Sequence, residues 1–254
     1  MTILGSGTCV PSLERSACSA LIQAGGKNIL FDSGPGTMRR LLQAGVPIYD
    51  LAFICYSHFH PDHTGELVPF LFANKYTGGS LRHRPLTVIA GSGFVSFFEG
   101  LRQVYGRWIE LEAGLFRIDE LANRQFDQRD FDTFRIQSAP VAHNPESLAY
   151  RVTGSDGRSV VYSGDTDYSE NLVRLAENAD VLICESAFPD EKRVDGHLTP
   201  SLAGTIAARA GVRKLILTHF YPECDTVDIA AQCRKTYDGP LILAKDLMRI
   251  PAAS

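Results

Sequence analysis

His58-Phe59-His60-Pro61-Asp62-His63 packs four metal-capable side chains into one short run. It follows Leu51-Ala52-Phe53-Ile54-Cys55-Tyr56, an apolar stretch that reads as a buried strand. Imidazole and carboxylate are the donors that hydrolytic divalent metals prefer. Alternating donors on an extended turn point two ways, so one segment can serve two ions. The stretch predicts a two-metal hydrolase whose remaining ligands lie elsewhere in the chain.

Outside that run the histidines are His83, His143, His197 and His219. His143 follows Ser138-Ala139-Pro140-Val141-Ala142, a strand running into a loop. Asp165 ends Val160-Val161-Tyr162-Ser163-Gly164, and His219 ends Leu215-Ile216-Leu217-Thr218. Side chains at strand exits can converge on one edge cleft. One ion would then take His58, His60 and His143. The other would take Asp62, His63 and His219, with Asp165 bridging both. Taken singly, each strand-end residue reads equally well as a cap; the set is argued from the cluster outward.

Around these residues the chain alternates short apolar runs with Gly, Pro and Asp punctuation. Strands are expected at 18–23, 27–31, 51–57, 86–90, 133–138, 148–153, 159–163, 180–184, 213–218 and 241–243. Helices are expected at 36–44, 64–74, 93–104, 169–178, 201–210 and 227–235. That alternation predicts an α/β fold, and one domain over 1–254. A faint internal echo accompanies it. Phe31-Asp32-Ser33-Gly34 and Tyr162-Ser163-Gly164-Asp165 each end a strand and re-enter through a helix. Ser57-His58-Phe59 and Thr218-His219-Phe220 both cap an apolar strand.

The 254 residues are 44% hydrophobic and 21% charged, which fits a globular chain with a sizeable core. The net charge of −4 argues against a broad phosphate-gripping footprint, so extended nucleic acid is not the expected partner. The six cysteines form no C-x-x-C pair and no secreted disulfide framework. No apolar run approaches membrane-spanning length, and no charged leader with an apolar signal core is expected from the start at Thr2-Ile3-Leu4-Gly5. Cytoplasmic location without a membrane partner is expected; a homodimer stays open.

Several further stretches carry a family likeness: Leu4-Gly5-Ser6-Gly7-Thr8, Val10-Pro11-Ser12, Phe31-Asp32-Ser33-Gly34, Tyr162-Ser163-Gly164-Asp165-Thr166, Gly196-His197-Leu198-Thr199 and Leu217-Thr218-His219-Phe220. With the His58 run, they make the chain resemble the metallo-β-lactamase fold hydrolases over nearly its whole length, most of all the ribonuclease Z branch. The resemblance implies a four-layer αβ/βα sandwich with a dinuclear site at one edge, and the ligand set above. It implies that Glu185 and His197 form a carboxylate–imidazole dyad that helps the leaving group depart. It implies that Asp32 and Ser57 support the metal loop, since ligating histidines usually donate their second N–H to such groups. Where relatives that cleave β-lactams commonly carry a cysteine, this chain has Asp165, as phosphodiesterases and thioesterases of the glyoxalase II kind do. Arg151, after Tyr150, reads either as a phosphate contact or as a surface arginine. The Arg82-His83-Arg84 loop reads as solvated, and Phe94-Val95-Ser96-Phe97-Phe98 as core.

The chain also departs from that branch. Ribonuclease Z carries a tRNA-holding arm between the residues matched by His143 and Asp165. Here Asp165 follows His143 by 22 positions, which two short strands and the Asp156-Gly157 turn consume. Tyr221-Pro222-Glu223-Cys224 stands where the RNA processors are commonly basic. The expected function is therefore a phosphodiesterase acting on a small or short substrate with two divalent ions. Zinc is expected first, with manganese and iron admitted by the same donors. Thioester, lactone or sulfate-ester hydrolysis and tRNA 3′ processing are the alternatives. Asp62, His197 and Glu185 are the expected catalytic residues.

Overall fold

The computed structural model describes residues 1–76 and 82–251. Two seven-stranded sheets face each other. The first is built from β1 (Thr2–Gly5), β2 (Ser19–Ala24), β3 (Lys27–Phe31), β4 (Leu51–Cys55), β5 (Leu86–Gly91) and β6 (Phe116–Leu121). The second holds β7 (Asp127–Phe131), β8 (Phe134–Pro140), β9 (Leu148–Gly154), β10 (Ser159–Tyr162), β11 (Val181–Glu185), β12 (Leu215–Thr218) and β13 (Leu241–Leu243). The short β14 (Met248–Arg249) returns to the first sheet beside β1.

Helices α1 (Thr37–Gln43), α2 (Pro61–Thr64), α3 (Leu67–Tyr76) and α4 (Phe94–Tyr105) follow strands of the first sheet. Helices α5 (Glu170–Leu175), α6 (Pro200–Ala210) and α7 (Ile229–Arg234) follow strands of the second. Strand periodicity explains the layering. On β2 and β3, Ala20, Ile22, Ile29 and Phe31 join the core shared with the second sheet. The alternate residues Leu21 and Leu30 pack with Leu41, Phe70, Leu71 and Phe94 of the outer helices. Beyond the second sheet, Leu172, Ala203, Ile206 and Cys233 of α5, α6 and α7 close the far side. The four-layer αβ/βα sandwich is thus the observed architecture.

The two sheets share one pattern. β14, β1, β2 and β3 run antiparallel, then β3, β4, β5 and β6 parallel. β7, β8, β9 and β10 run antiparallel, then β10, β11, β12 and β13 parallel. β3 therefore corresponds to β10, and each leads to an acid of the candidate site, Asp32 and Asp165. The second half of the expected echo does not correspond in this way. Ser57-His58 leaves β4, whereas Thr218-His219 leaves β12, whose counterpart is β5.

Every expected strand and helix is present; β3 and β13 keep the expected ends and the others shift. The helix expected at 64–74 is two helices, α2 and α3, separated by Gly65-Glu66. Four strands fell outside the expected set. β6 and β7 lie at sheet edges and carry charge among their apolar residues (Phe-Arg-Ile-Asp-Glu-Leu and Asp-Gln-Arg-Asp-Phe), so neither reads as an apolar run. β1 and β14 are very short, and they are defined by pairing: β1 with β2 and β14, and β14 with β1. Among the described residues, no helix is long and apolar enough to cross a membrane.

Candidate metal centre and adjoining dyad

The parallel strands of both sheets end toward one edge, and their exits supply the site. β4 delivers Ser57, His58 and His60. Pro61 then opens α2 at a position where its missing N–H and fixed φ cost nothing. Asp62 and His63 therefore sit on a helical turn, not on the continuous extended turn expected from sequence. Gly34, in the loop after β3, is pressed against this turn: a Cβ there would lie 1.9 Å from the Asp62 carbonyl oxygen. Gly164, between β10 and Asp165, has φ +58 and abuts the Ser57 side chain. Two strand exits from different sheets meet there with no room for a larger residue.

All seven expected ligands converge. Donor atoms of His58, His60, His143 and Asp165 form one close group, and those of Asp62, His63 and His219 a second, each within 4.8 Å. Asp165 links them. Its Oδ2 lies 3.8 Å from His58 Nε2, while its Oδ1 lies 3.3 Å from His63 Nε2 and 3.4 Å from His219 Nε2. Asp62 Oδ2 is 3.8 Å from both His63 Nε2 and His219 Nε2. His60 Nδ1 faces His143 Nε2 at 3.4 Å.

The polar bookkeeping shows what the cluster is suited to hold. His58 Nε2, His63 Nε2, His219 Nε2 and Asp165 Oδ1 are buried and have no hydrogen-bond partner in the protein. Orphaned buried polar atoms cost about 1–3 kcal/mol each, and four that converge on one cleft fit a divalent cation site. His219 Nδ1 is also buried without a partner, while the second nitrogens of His58, His60, His63 and His143 are engaged. His63 Nδ1 donates to Asp32 Oδ2 at 2.7 Å, and His143 Nδ1 to the Gly196 carbonyl at 2.9 Å. His58 Nδ1 meets Ser57 Oγ at 3.0 Å, and that hydroxyl donates to Asp32 at 2.8 Å. The amide of Asn144 reaches His60 Nε2 at 3.1 Å. These contacts aim the free nitrogens of His58, His60, His63 and His143 at the cleft. Burial pushes the Asp165 carboxyl up, but His219 and His63 outweigh it and hold it well below the usual carboxylate range.

Asp32 organises this support. It is fully buried and accepts from Ser57 N, Ser57 Oγ, His63 and the Tyr162 hydroxyl. Asp32 and His219 both adopt positive φ, 55° and 61°. Such backbone strain in non-glycine residues gathers at functional sites.

Glu185 ends β11, fully buried, and accepts from Thr166 N, Ala187 N and His197 Nδ1, the last at 3.0 Å. Burial opposes a charge on His197, yet the hydrogen bond and charge of Glu185 prevail and lift its pKa to about 9. Burial raises the Glu185 carboxyl, with His197 opposing. The direction that governs the pair is the protonated imidazole. A ring nitrogen of His197 also lies within 4.8 Å of the Asp165 and His219 donor atoms, at the edge of the candidate metal centre.

Three sequence readings resolve differently from the site. Arg151 donates to the carbonyls of Leu175 and Glu177 and to Ser159, so it holds the end of α5 and no phosphate. His83 is exposed and lies in none of the metal-capable groups among the described residues, but Arg82 of the same loop, expected to be solvated, is buried and donates to the carbonyls of Ile48 and Leu51. Phe94 and Phe98 are core. Two contributors were missed. The Gly196 carbonyl leaves no trace in residue type, whereas Asn144, a polar residue directly after His143, was a usable signal.

Residues 27–220 match the family described as Beta-lactamase superfamily domain. A ribonuclease Z of Streptomyces coelicolor is 30% identical, over 99% of this chain and 97% of its own length. The crystal structure of the metallo-beta-lactamase fold protein YhfI from Bacillus subtilis superposes with TM-score 0.81 at 25% identity, covering 97% of this chain and 96% of that one. Human tRNase Z, short form, superposes with TM-score 0.80 at 23% identity over 100% of both chains.

Proposed function

From a chain that belongs to the beta-lactamase superfamily, as a ribonuclease Z-like hydrolase, we infer a metal-dependent phosphodiesterase that acts on a small or short substrate. The observation that carries this reading is the division of labour at Asp165. One carboxylate oxygen faces the His58 group and the other the His63–His219 group. His58, His60 and His143 are assigned to one cation, Asp62, His63 and His219 to the other, and Asp165 to both. Zinc is the first choice, with manganese or iron also compatible with imidazole and carboxylate. Bound there, a pair of divalent cations would supply an activated water and a clamp for the phosphoryl oxygens.

The chain's own residues supply the rest. Asp32, Ser57, Asn144 and the Gly196 carbonyl hold the ligand rings. Glu185 keeps His197 protonated, and His197 Nε2 gives its proton to the leaving oxygen as the P–O bond breaks. The loop that carries His197 is pinned: Asp167 accepts from Arg193 and from Gly196 N. The small-substrate half of the reading rests on chain length. The alignment with the Streptomyces coelicolor relative spans 298 positions against a chain of 254 residues, so at least 44 positions of the relative have no counterpart here. With the net charge of −4, this favours a short phosphodiester over a tRNA body. The six free thiols fit a reducing, cytoplasmic setting. Residues 1–254 are taken as one unit, alone or as a homodimer.

The test is a hydrolysis panel on metal-loaded protein: bis-aryl phosphate, cyclic nucleotide, precursor tRNA, sulfate ester, thioester and lactone. His197→Ala is expected to slow phosphodiesters with poor alkoxide leaving groups by about 10²–10⁴-fold, and to spare thioesters. Equal losses on both substrate kinds would remove His197 from the acid role. Cleavage of precursor tRNA at a defined 3′ position, with the short diesters untouched, would replace the reading with tRNA processing, the activity named for the relatives.

A further inference from the structure

Beside His197 the wall of the cleft turns aromatic. Phe188 and Tyr221 stack with ring centroids 4.4 Å apart and planes 17° from parallel. Phe188 lies just past Glu185 at the exit of β11, and Tyr221 just past His219 at the exit of β12. The same strand ends therefore carry the stack, the dyad and the candidate metal centre. Phe188 stands 6.1 Å from His197, ring to ring, and Tyr221 stands 6.3 Å from His197 and 6.0 Å from His219. Both rings are half-exposed, while the neighbouring Phe220 is the one buried in the core. The Tyr221 hydroxyl meets Cys9 Sγ at 3.5 Å, which ties the ring to the loop after β1.

Half-open aromatic rings beside a polar catalytic cluster are informative where a buried ring would not be. The charges around them narrow what the rings receive. Arg15, whose guanidinium lies over Phe220, is held by both oxygens of Asp225 at 2.6 and 2.7 Å. Arg193, on the His197 loop, is held by both oxygens of Asp167 at 3.0 and 3.1 Å. Both cations already have carboxylate partners, so this rim favours a flat, uncharged group over a second phosphate. The remaining step rests on the phosphodiesterase reading. His197 protonates the leaving oxygen, so the substituent on that oxygen lies on the His197 side, against the stack.

We propose that Phe188 and Tyr221 form the leaving-group subsite, and that the departing alcohol carries a flat aromatic or heteroaromatic ring, as a nucleoside does. Water adds to phosphorus as its proton passes to solvent, the P–O bond to the nucleoside breaks, and the nucleoside oxygen leaves with the proton from His197, which then takes up another from solvent. The other substituent stays on the phosphate.

The test uses metal-loaded protein and two diesters: the methyl phosphate diester of a purine nucleoside, and the same diester of the abasic sugar. The leaving alcohols match in chemistry and differ in the ring. Wild type is expected to release free nucleoside and methyl phosphate, and to prefer the nucleoside diester by about 10-fold in kcat/KM. Tyr221→Ala and Phe188→Ala are expected to erase most of that preference, and Tyr221→Phe to keep it. A readout independent of turnover is nuclear magnetic resonance of the wild-type ring protons. Those of Phe188 and Tyr221 are expected to shift with free nucleoside and not with ribose. Thermal unfolding and metal content identify any variant that has lost its fold. Equal cleavage of the two diesters, a preference that survives both alanine variants, or release of methanol with retention of the nucleotide overturns the subsite alone. Wild type that cleaves neither diester, nor any other phosphodiester, overturns the parent reading as well.

Discussion

Asp32 shows how much one residue can hold. Its carboxylate fixes His63 directly and His58 through the Ser57 hydroxyl, and Tyr162 completes its coordination of donors. Replacing it with asparagine keeps the shape and removes the charge that orients both rings. Asp32→Asn is expected to weaken metal binding by about 10–100-fold, measured by competition with a chromophoric chelator. Unchanged affinity would show that the rings hold their aim without it. At this scale the sequence was most legible where donors are adjacent, as in His58 to His63. It was less legible where support comes from a backbone carbonyl. Gly196 holds His143 through an atom every residue possesses, so residue type carries no signal for it.

Elements position the site through packing at the sheet junction. Phe31, at the end of β3, is fully buried and lies 5.7 Å from Tyr150 and 5.4 Å from Tyr162, ring to ring. Removing that ring opens a cavity between the sheets directly behind Asp32. Phe31→Ala is expected to cost about 3–5 kcal/mol in denaturant unfolding of the metal-free protein; a loss below 1 kcal/mol would mean the junction is loosely packed. The loop bearing His197 has its own clamp in Asp190, which accepts from Ser201 N and Oγ and from Lys235. Burial pushes the Asp190 carboxyl up, but these donors and Thr199 prevail and hold it below its ordinary value. A carboxyl lowered in the folded state stabilises above its unfolded pKa, and that contribution is lost as pH falls through the folded value. Thermal stability of wild type should therefore fall more steeply below about pH 4 than that of Asp190→Asn; parallel curves would dismiss the clamp. Central parallel strands were legible as apolar runs, because both faces are covered. Edge strands β6 and β7 were not, because a half-covered strand carries charge on its open side.

The whole molecule is two similar sheets with helices outside, and the site exists only where they meet. The first half brings His58, His60, Asp62 and His63; the second brings His143, Asp165 and His219, with the Glu185–His197 pair beside them. The strand-exit echo between Phe31-Asp32 and Tyr162-Asp165 was a true trace of the shared topology. The histidine echo was a coincidence of strand ends. The fold class, and the convergence of the seven candidate ligands, were legible because strand exits of one edge come together in an α/β layering. The aromatic wall was not, because only folding brings Phe188 and Tyr221 together.

The proposed chemistry needs two cations, one on either side of Asp165. Its most direct test is zinc stoichiometry by titration with mass-spectrometric metal analysis, on wild type and Asp165→Asn. Two equivalents are expected in wild type, with a loss of tight binding for at least one of them in the variant. A single equivalent or none in wild type, or two equally tight ions in the variant, would contradict that arrangement.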